Sequence, residues 1–447
     1  MIIIVGAGLA GLTCAKLLTE AGQRVVVLEA ADQVGGRVRT DYHEDGYRLD
    51  RGFQVLFTAY PAVQRHLHLD ELKQRKFDPG ALLLKNGKQY EIADPLREPV
   101  HTISDLLNPL ISTADKLRVL RLRMQVGRQS AGSIFSGKLQ PEKQDETTEA
   151  YLQRLGFSHK FIDNFARPFY GGIFLDRSLQ TSARMFQFTF KMLATGDTII
   201  PAEGMQRIAD QLASTLPKGA VRLNSRVSEL LINEGRVHGV RLTTGERLAA
   251  EQVVIATASP EALKLIGKPD PSGATPFRFD GHTHSDGLPH APVSAVCLYF
   301  AGEERLYWQK KILLNAAPAA YVNNAVLLTN IAPTYAPPRK HLLSVTVLGN
   351  PAEDDELIAQ RSLTEIGSWF PDHDMSHWQL LAVYRIPFAQ FAQPPGIYDE
   401  MPDNRTGIEG LYLAGEYTKS SSIQGAMHSG EHAAREILKV PLRVTSA

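Results

Sequence analysis

The chain opens with a buried strand that runs directly into a glycine turn. Ile2-Ile3-Ile4-Val5 is a short apolar run of the length a fully buried strand takes, and Gly6-Ala7-Gly8-Leu9-Ala10-Gly11 follows at once. The spacing is restrictive because each glycine answers a different steric demand. Gly6 permits the tight turn, Gly8 lets the backbone approach a phosphate, and Gly11 lets helix and strand pack closely. A helix is expected over roughly residues 9 to 20, ended by Gly22, with Arg24-Val25-Val26-Val27-Leu28 as the second buried strand. Glu29 closes that strand about 20 residues beyond the glycines, where a carboxylate can hold ribose hydroxyls and repel a 2′-phosphate. The pattern specifies a dinucleotide site and disfavours NADP.

Gly35-Gly36-Arg37 follows Glu29 closely, in a loop placed to return over the phosphates. Its glycines allow close backbone approach, and its arginine can pair with pyrophosphate charge. That loop is similar to the second glycine motif of FAD-binding proteins. No second G-x-G-x-x-G follows a strand, so no separate nicotinamide domain is expected. Four hundred residues later, Leu411-Tyr412-Leu413-Ala414 reads as another buried strand ending in Gly415-Glu416.

These motifs, with Gly52-Phe53-Gln54, Pro201-Ala202-Glu203-Gly204-Met205 and the stretch from Leu411 to Ala434, resemble the flavin amine oxidase superfamily. That superfamily includes monoamine and polyamine oxidases, protoporphyrinogen oxidases and carotenoid desaturases, and the resemblance spans almost the whole chain. It implies an α/β fold in which a Rossmann-like FAD-binding domain is interleaved with two others. The cofactor domain is expected at residues 1–60, 201–262 and 396–447, a mostly helical subdomain at 61–200, and a strand-rich substrate domain at 263–395. Gly6 to Gly11, Glu29, Ala30, Gly35, Gly36 and Arg37 would hold the adenosine and diphosphate, with Val227 and Ala256 beside them. Gly52 and Phe53 would approach the isoalloxazine, and Gly415, Glu416, Gln424, Gly425 and Ala426 the ribityl and flavin end. Glu416 is expected to orient the cofactor rather than take part in chemistry.

Composition narrows the setting. Lys+Arg and Asp+Glu each number 48, so no global field favours nucleic acid. The two cysteines, Cys14 and Cys297, read as buried reduced thiols remote from the C-terminal motif, so the FAD is expected to be non-covalent. No apolar run reaches the ~18 residues of a membrane span. With the first strand starting at residue two and no room for a signal peptide, a cytoplasmic protein is expected. His282, His284 and His290 lack compact ligand spacing, so no metal is expected; Asp372-His373-Asp374 and His377 read as a solvated turn. Trp308, Trp369 and Trp378 read as core.

The substrate class is less directly written. Amine-oxidising members usually carry an aromatic residue just before the C-terminal glycine motif and often a lysine near the flavin. Here Ser421-Ser422-Ile423 precedes Gln424, and residues 292–308 hold no lysine. Tyr417-Thr418-Lys419, Ser422 to Ala426, Leu223-Asn224-Ser225-Arg226-Val227 and Tyr384-Arg385-Ile386-Pro387 resemble plant and cyanobacterial phytoene and ζ-carotene desaturases. Phe169-Tyr170-Gly171-Gly172-Ile173 is similar to porphyrinogen oxidases as well. The resemblance implies hydride removal from a C–H bond of an apolar, polyene-like substrate, with quinone or O2 as electron acceptor. Amine oxidation, porphyrinogen oxidation and redox-neutral polyene isomerisation stay open as alternatives. Arg167, Tyr170, Tyr384 and Arg385 are candidates for lining the pocket. Residues 103–126 place Leu106, Leu110, Leu117, Leu120 and Met124 beside Lys116, Arg118, Arg121 and Arg123. That reads as a basic amphipathic helix able to make peripheral membrane contact, or else as an ordinary surface helix.

Overall fold

The computed structural model describes residues 1–92, 110–136, 145–267 and 288–439. Its centre is a five-stranded parallel sheet in the order Val221–Arg222, Val25–Leu28, Ile2–Val5, Gln252–Ile255, Leu411–Leu413. Ile3, Ile4, Val27, Val253, Val254, Ile255 and Leu413 are fully enclosed, as strands covered on both faces require. The order reverses direction at Ile2–Val5, the place where open parallel sheets bind ligands beyond their carboxyl ends.

The first helix, Leu9–Glu20, and the last, Ile423–Leu438, lie against each other on this sheet. A Cβ on Gly430 would sit 2.2 Å from the Ala10 carbonyl oxygen, so only glycine permits the approach. A three-stranded meander, Val227–Asn233, Arg236–Leu242 and Arg247–Ala249, borders the sheet.

A seven-stranded mixed sheet forms the second layer, in the order Gln379–Phe391, Pro292–Gly302, His341–Leu348, Val322–Leu327, Ile312–Asn315, Ala81–Lys85, Lys88–Ile92. Its last two strands come from the segment read as mostly helical, which also supplies strands Gln74–Lys76 and Thr198–Pro201. The run Ala81-Leu82-Leu83-Leu84 is too short for periodicity to distinguish helix from strand; parallel pairing with Ile312–Asn315 decides it. The Pro/Gly/His-rich stretch 268–292, which reads in sequence as a long loop or lid, falls largely on residues 268–287, and the N-terminal part of the amphipathic segment on 103–109; both lie outside the described residues. Among the described residues no helix is long and apolar enough to cross a membrane. Cys14 and Cys297 are buried free thiols. Trp369 and Trp378 are core, whereas Trp308 is 76 % exposed, its ring covered on one side by the Arg305 guanidinium.

The last helix also carries a buried charge cluster. Glu431 accepts from Arg65 Nε and Nη2 at 2.7 and 2.8 Å and meets His66 Nε2 at 2.6 Å. Burial would raise its carboxyl, but these donors outweigh burial and hold it at about 2. One turn apart, His428 and His432 meet Nε2 to Nε2 at 3.0 Å. Burial first, then the Lys419 charge, pushes their pKa down to about 4 and about 3 from the ordinary 6.5. The unfolded chain therefore binds protons that the folded chain refuses. Stability is fully present above pH 6.5 and is lost as pH falls, through the histidines first and Glu431 towards pH 2. We expect the urea midpoint to drop steeply from pH 6.5 to 4, and His428→Asn with His432→Asn to flatten that slope. An unchanged slope in the double variant would refute the assignment.

Candidate active site

The first helix has its N-cap at Gly8, with no capping side chain and no acid in its first turn. Its first intrahelical bond runs from the Leu12 amide to the Gly8 carbonyl, leaving the amides of Leu9, Ala10 and Gly11 without helical acceptors. Nothing lies within 4 Å of where a Gly8 Cβ would stand. Gly8, Leu9 and Ala10 line the cavity, so this helix N-terminus is placed to receive a phosphate.

The loop at Gly35-Gly36 is stacked on this turn. The Gly35 amide donates to the Ala7 carbonyl at 2.8 Å, and a Gly36 Cβ would touch Gly8 Cα at 3.4 Å. Both glycines have left-handed φ, +114° and +60°, that side chains rarely adopt. Glu29 accepts from the Ala7 amide at 2.7 Å and the Ala31 amide at 2.9 Å, so its carboxylate is fixed at the cavity wall with lone pairs left over.

A cavity of about 1600 Å3 extends from this cradle. Single small-molecule sites occupy roughly 300–1000 Å3, so the space exceeds what one such ligand fills. Its polar half is lined by Gly6, Gly8, Leu9, Ala10, Glu29, Ala30, Gly35, Gly36 and Arg37, with Val227 and Ala256 beside them. Gly52, Phe53, Gly415, Glu416 and Ala426 line it as well. There Arg37 donates to Glu416 and to the Ala389 carbonyl, while Ser421 Oγ donates to the other Glu416 oxygen at 3.0 Å. The ion pair joins the two ends of the chain across the site. Ser422 caps the last helix through the Gly425 amide, and with Ile423 it brings that N-terminus to the same cavity.

Other expected residues serve the frame instead. Ala7 and Gly11 are buried behind the turn, where a Gly11 Cβ would fall 2.0 Å from the Gly6 carbonyl oxygen. Gln424 faces away from the cavity and accepts from the Ala62 amide at 2.8 Å. Gly425 makes room for the Ser420 carbonyl, 1.9 Å from its absent Cβ.

Beneath Gly52 lies buried Asp50, which accepts from Thr40 Oγ1, the Met205 amide and Tyr335 Oη. Burial outweighs these donors and pushes its carboxyl up to about 6. This explains the Pro201–Met205 motif: its last amide is bolted to the turn that presents Phe53.

Of the four pocket candidates, Tyr170 lines the cavity. Arg167 is held by Glu149, Asp163 and the Arg177 carbonyl. Tyr384 donates to Asp41 and packs edge-on against Tyr299. Arg385, its neighbour in a strand, necessarily points to the opposite face and binds Asp355 and the Pro351 and Glu353 carbonyls.

The apolar half was not foreseen. Phe157, Phe161, Phe165 and Phe169 all line it, with successive rings 4.6, 5.5 and 5.2 Å apart. Four-residue steps overshoot a 3.6-residue turn, so an ideal helix would rotate this stripe away from the cavity. One wider π-type turn at Ile162–Ala166 rewinds it. The i, i+4 phenylalanines were a readable signal. The half ends at the helix Thr113–Gly127, whose Leu117 and Leu120 line the cavity while 64 % and 39 % exposed. Among the described residues no group of three His, Cys, Asp or Glu converges as a metal site would need; His290 instead bonds the Leu288 carbonyl.

A glycine cradle over orphan helix amides, at the carboxyl ends of a parallel sheet, defines a dinucleotide-dependent oxidoreductase fold. The chain belongs to the flavin containing amine oxidoreductase family, whose pattern matches residues 9–438. It is 28% identical over 473 residues to the chloroplastic/chromoplastic 15-cis-phytoene desaturase of Glycine max, covering 98% of this chain and 79% of that one. It is 24% identical to the 15-cis-phytoene desaturase of Synechococcus elongatus, covering 98% and 95%. Among solved structures, putrescine oxidase bound to putrescine superposes with a TM-score of 0.72 at 19% identity, covering 98% of both chains. An oxidoreductase from Methanosarcina mazei does so equally, covering 98% and 99%. The cradle fits the family's flavin cofactor: orphan amides meet a phosphate, and the void over Gly8 leaves room for it. We expect Gly8→Leu, which fills that void, and Gly36→Val, which strains the loop, each to lower flavin affinity at least ~10-fold, or about 1.4 kcal/mol. Arg37→Ala leaves the Glu416 carboxylate with the Ser421 hydroxyl but without its cation, at a cost of about 1–3 kcal/mol. Flavin absorbance per protein after gel filtration checks all three, and full yellow retention in the glycine variants would contradict the cradle.

Proposed function

We propose that the chain holds FAD non-covalently and oxidises a C–H bond of an apolar, isoprenoid-like polyene, passing the electrons to a quinone or O2. The observation that carries this reading is the continuity of one cavity from the glycine cradle, past Gly52 and Phe53, along the phenylalanine stripe to the exposed Leu117 and Leu120. A small amine needs no such arm. When bound, the flavin supplies a two-electron acceptor for hydride. The chain's own contribution is position. The Asp50-anchored turn sets Phe53 at the junction, the row of phenylalanine rings aligns an extended chain, and the apolar lining excludes water. Cys14 is enclosed in the first helix and no cysteine lies in the C-terminal glycine motif, which supports non-covalent binding, while Cys297 is a free thiol in the cavity wall beside Phe53.

The mouth helix supports substrate entry from a lipid surface. Leu117, Leu120 and Met124 form one exposed apolar stripe beside exposed Arg121 and Arg128. Buried Asp115 ties the helix down through the Ser158 amide and hydroxyl. Similarity to 15-cis-phytoene desaturases accords with an apolar polyene as the substrate.

The test is anaerobic bleaching of the flavin by a C40 cis-polyene in micelles, beside a porphyrinogen and a panel of amines. Bleaching by the polyene alone is expected; bleaching by an amine or porphyrinogen alone would overturn the reading. Leu117→Asp with Leu120→Asp should separately reduce co-sedimentation with anionic vesicles several-fold without reducing flavin content. Unchanged sedimentation would remove the membrane entrance.

A further inference from the structure

Resting on that reading, one part of the arm is chemically out of place for a hydrocarbon. Cys297, Thr346, Asn324 and Leu314 are paired in that order across four neighbouring strands of the large sheet, and all four line the cavity. Asn324 Nδ2 donates to Thr346 Oγ1 at 3.2 Å, and Asn324 Oδ1 accepts from Asn323 at 2.8 Å. Both side chains are more than nine-tenths buried. These bonds leave the Thr346 hydroxyl proton and the second Asn324 amide proton unspent.

The opposing wall adds an independent donor. The helix Arg167–Phe174 presents Phe169, Tyr170, Gly172 and Ile173 to the cavity. It lies so close to the sheet that a Gly172 Cβ would meet Asn323 Nδ2 at 2.8 Å and Asn324 Oδ1 at 3.1 Å. Tyr170 is 4 % exposed, opens on the cavity, and its hydroxyl has no hydrogen-bond partner among the described residues. Unpaired donors in an apolar enclosure are costly, and sites built this way reject analogues that cannot pair with them.

We propose that the substrate is an apolar chain bearing one hydrogen-bond-accepting oxygen, a hydroxyl or a carbonyl, seated between Tyr170 Oη and the Thr346–Asn324 pair. The position relative to the chemistry follows from the sheet. The Phe53 backbone reaches the Cys297 sulfur, and neighbouring strands lie about 4.8 Å apart. The oxygen is therefore held about one to two strand spacings from the Phe53 junction, close enough to fix which carbon of the chain lies there.

The test uses a C40 hydrocarbon polyene and its mono-hydroxylated and mono-keto counterparts in micelles. Dissociation constants come from perturbation of the flavin spectrum, and rates from anaerobic bleaching. The wild type should hold an oxygenated probe at least ~10-fold tighter than the hydrocarbon. Thr346→Val replaces a hydroxyl by a methyl group and Tyr170→Phe removes the phenol oxygen; each should lower that preference several-fold, and the double variant should abolish it. Flavin content and thermal midpoint report folding, and Asn324→Asp, which keeps the shape but loses the amide donor, gives a second route to the same loss. A hydrocarbon that binds and bleaches as well as its oxygenated counterparts would overturn this inference while leaving the proposed function intact. Failure of all three probes to bind would overturn both.

Discussion

A helix N-terminus whose amides face neither a capping side chain nor an acid is held at a cost until an anion arrives. The first helix of this chain is in that state at Leu9, Ala10 and Gly11. A capping residue at Gly8 would relieve the cost and close the site. The turn is instead kept open and rigid from outside: Glu29 braces the Ala7 amide, the Gly35 amide braces the Ala7 carbonyl, and the last helix presses Gly430 onto Ala10. Strands contributed by residues 2, 25, 221, 252 and 411 onward must all be in place before this geometry exists, so the cradle is a product of the whole sheet.

The two halves of the cavity are built by different means. The cradle is made of backbone, with glycines that admit close approach and amides that point inward. The arm is made of side chains, a row of four phenylalanines in ring contact on one wall and a sheet face on the other. A backbone site recognises what a dinucleotide always carries, its phosphates and ribose. A side-chain site can be recut one residue at a time. Between the halves, Arg37 and Glu416 clamp the chain's ends while Asp50 anchors Phe53, and none of these three reaches along the arm. That division accords with a chain whose family membership is plain over residues 9–438 while its substrate rests on a handful of positions.

Where sequence reading went astray, the cause is specific. Tyr384 and Arg385 could not both face one cavity from adjacent strand positions; the strand's alternation sends Arg385 to the other face, and a hydrogen bond to Asp41 draws Tyr384 off its edge. Gln424 sits inside the expected motif, yet a backbone amide of the helix at Pro61 claims its side chain. Ala81–Ile92 looked like part of a helical region because a four-residue apolar run carries no period; the Asn86-Gly87 turn that folds it into an antiparallel hairpin was the local signal missed, while its parallel partner, Ile312 opposite Ala81, lies far along the chain. The phenylalanine stripe was visible in spacing but needed a π-type turn to become a wall.

By itself the sequence determined the first strand, glycine turn and helix, the acidic end of the second strand, and the closing strand, because each depends on interactions within some thirty residues and on steric rules that only glycine satisfies. Its balanced charge likewise supplies no global field that would favour nucleic acid. Tertiary structure alone decided which side chains meet: the Arg37–Glu416 clamp across 379 residues, the Asp50 anchor, and the Asn324–Thr346 hydrogen bond in the cavity wall. Those contacts depend on strand register and on helix approach over a sheet. Neither leaves a local trace in the residues that make them.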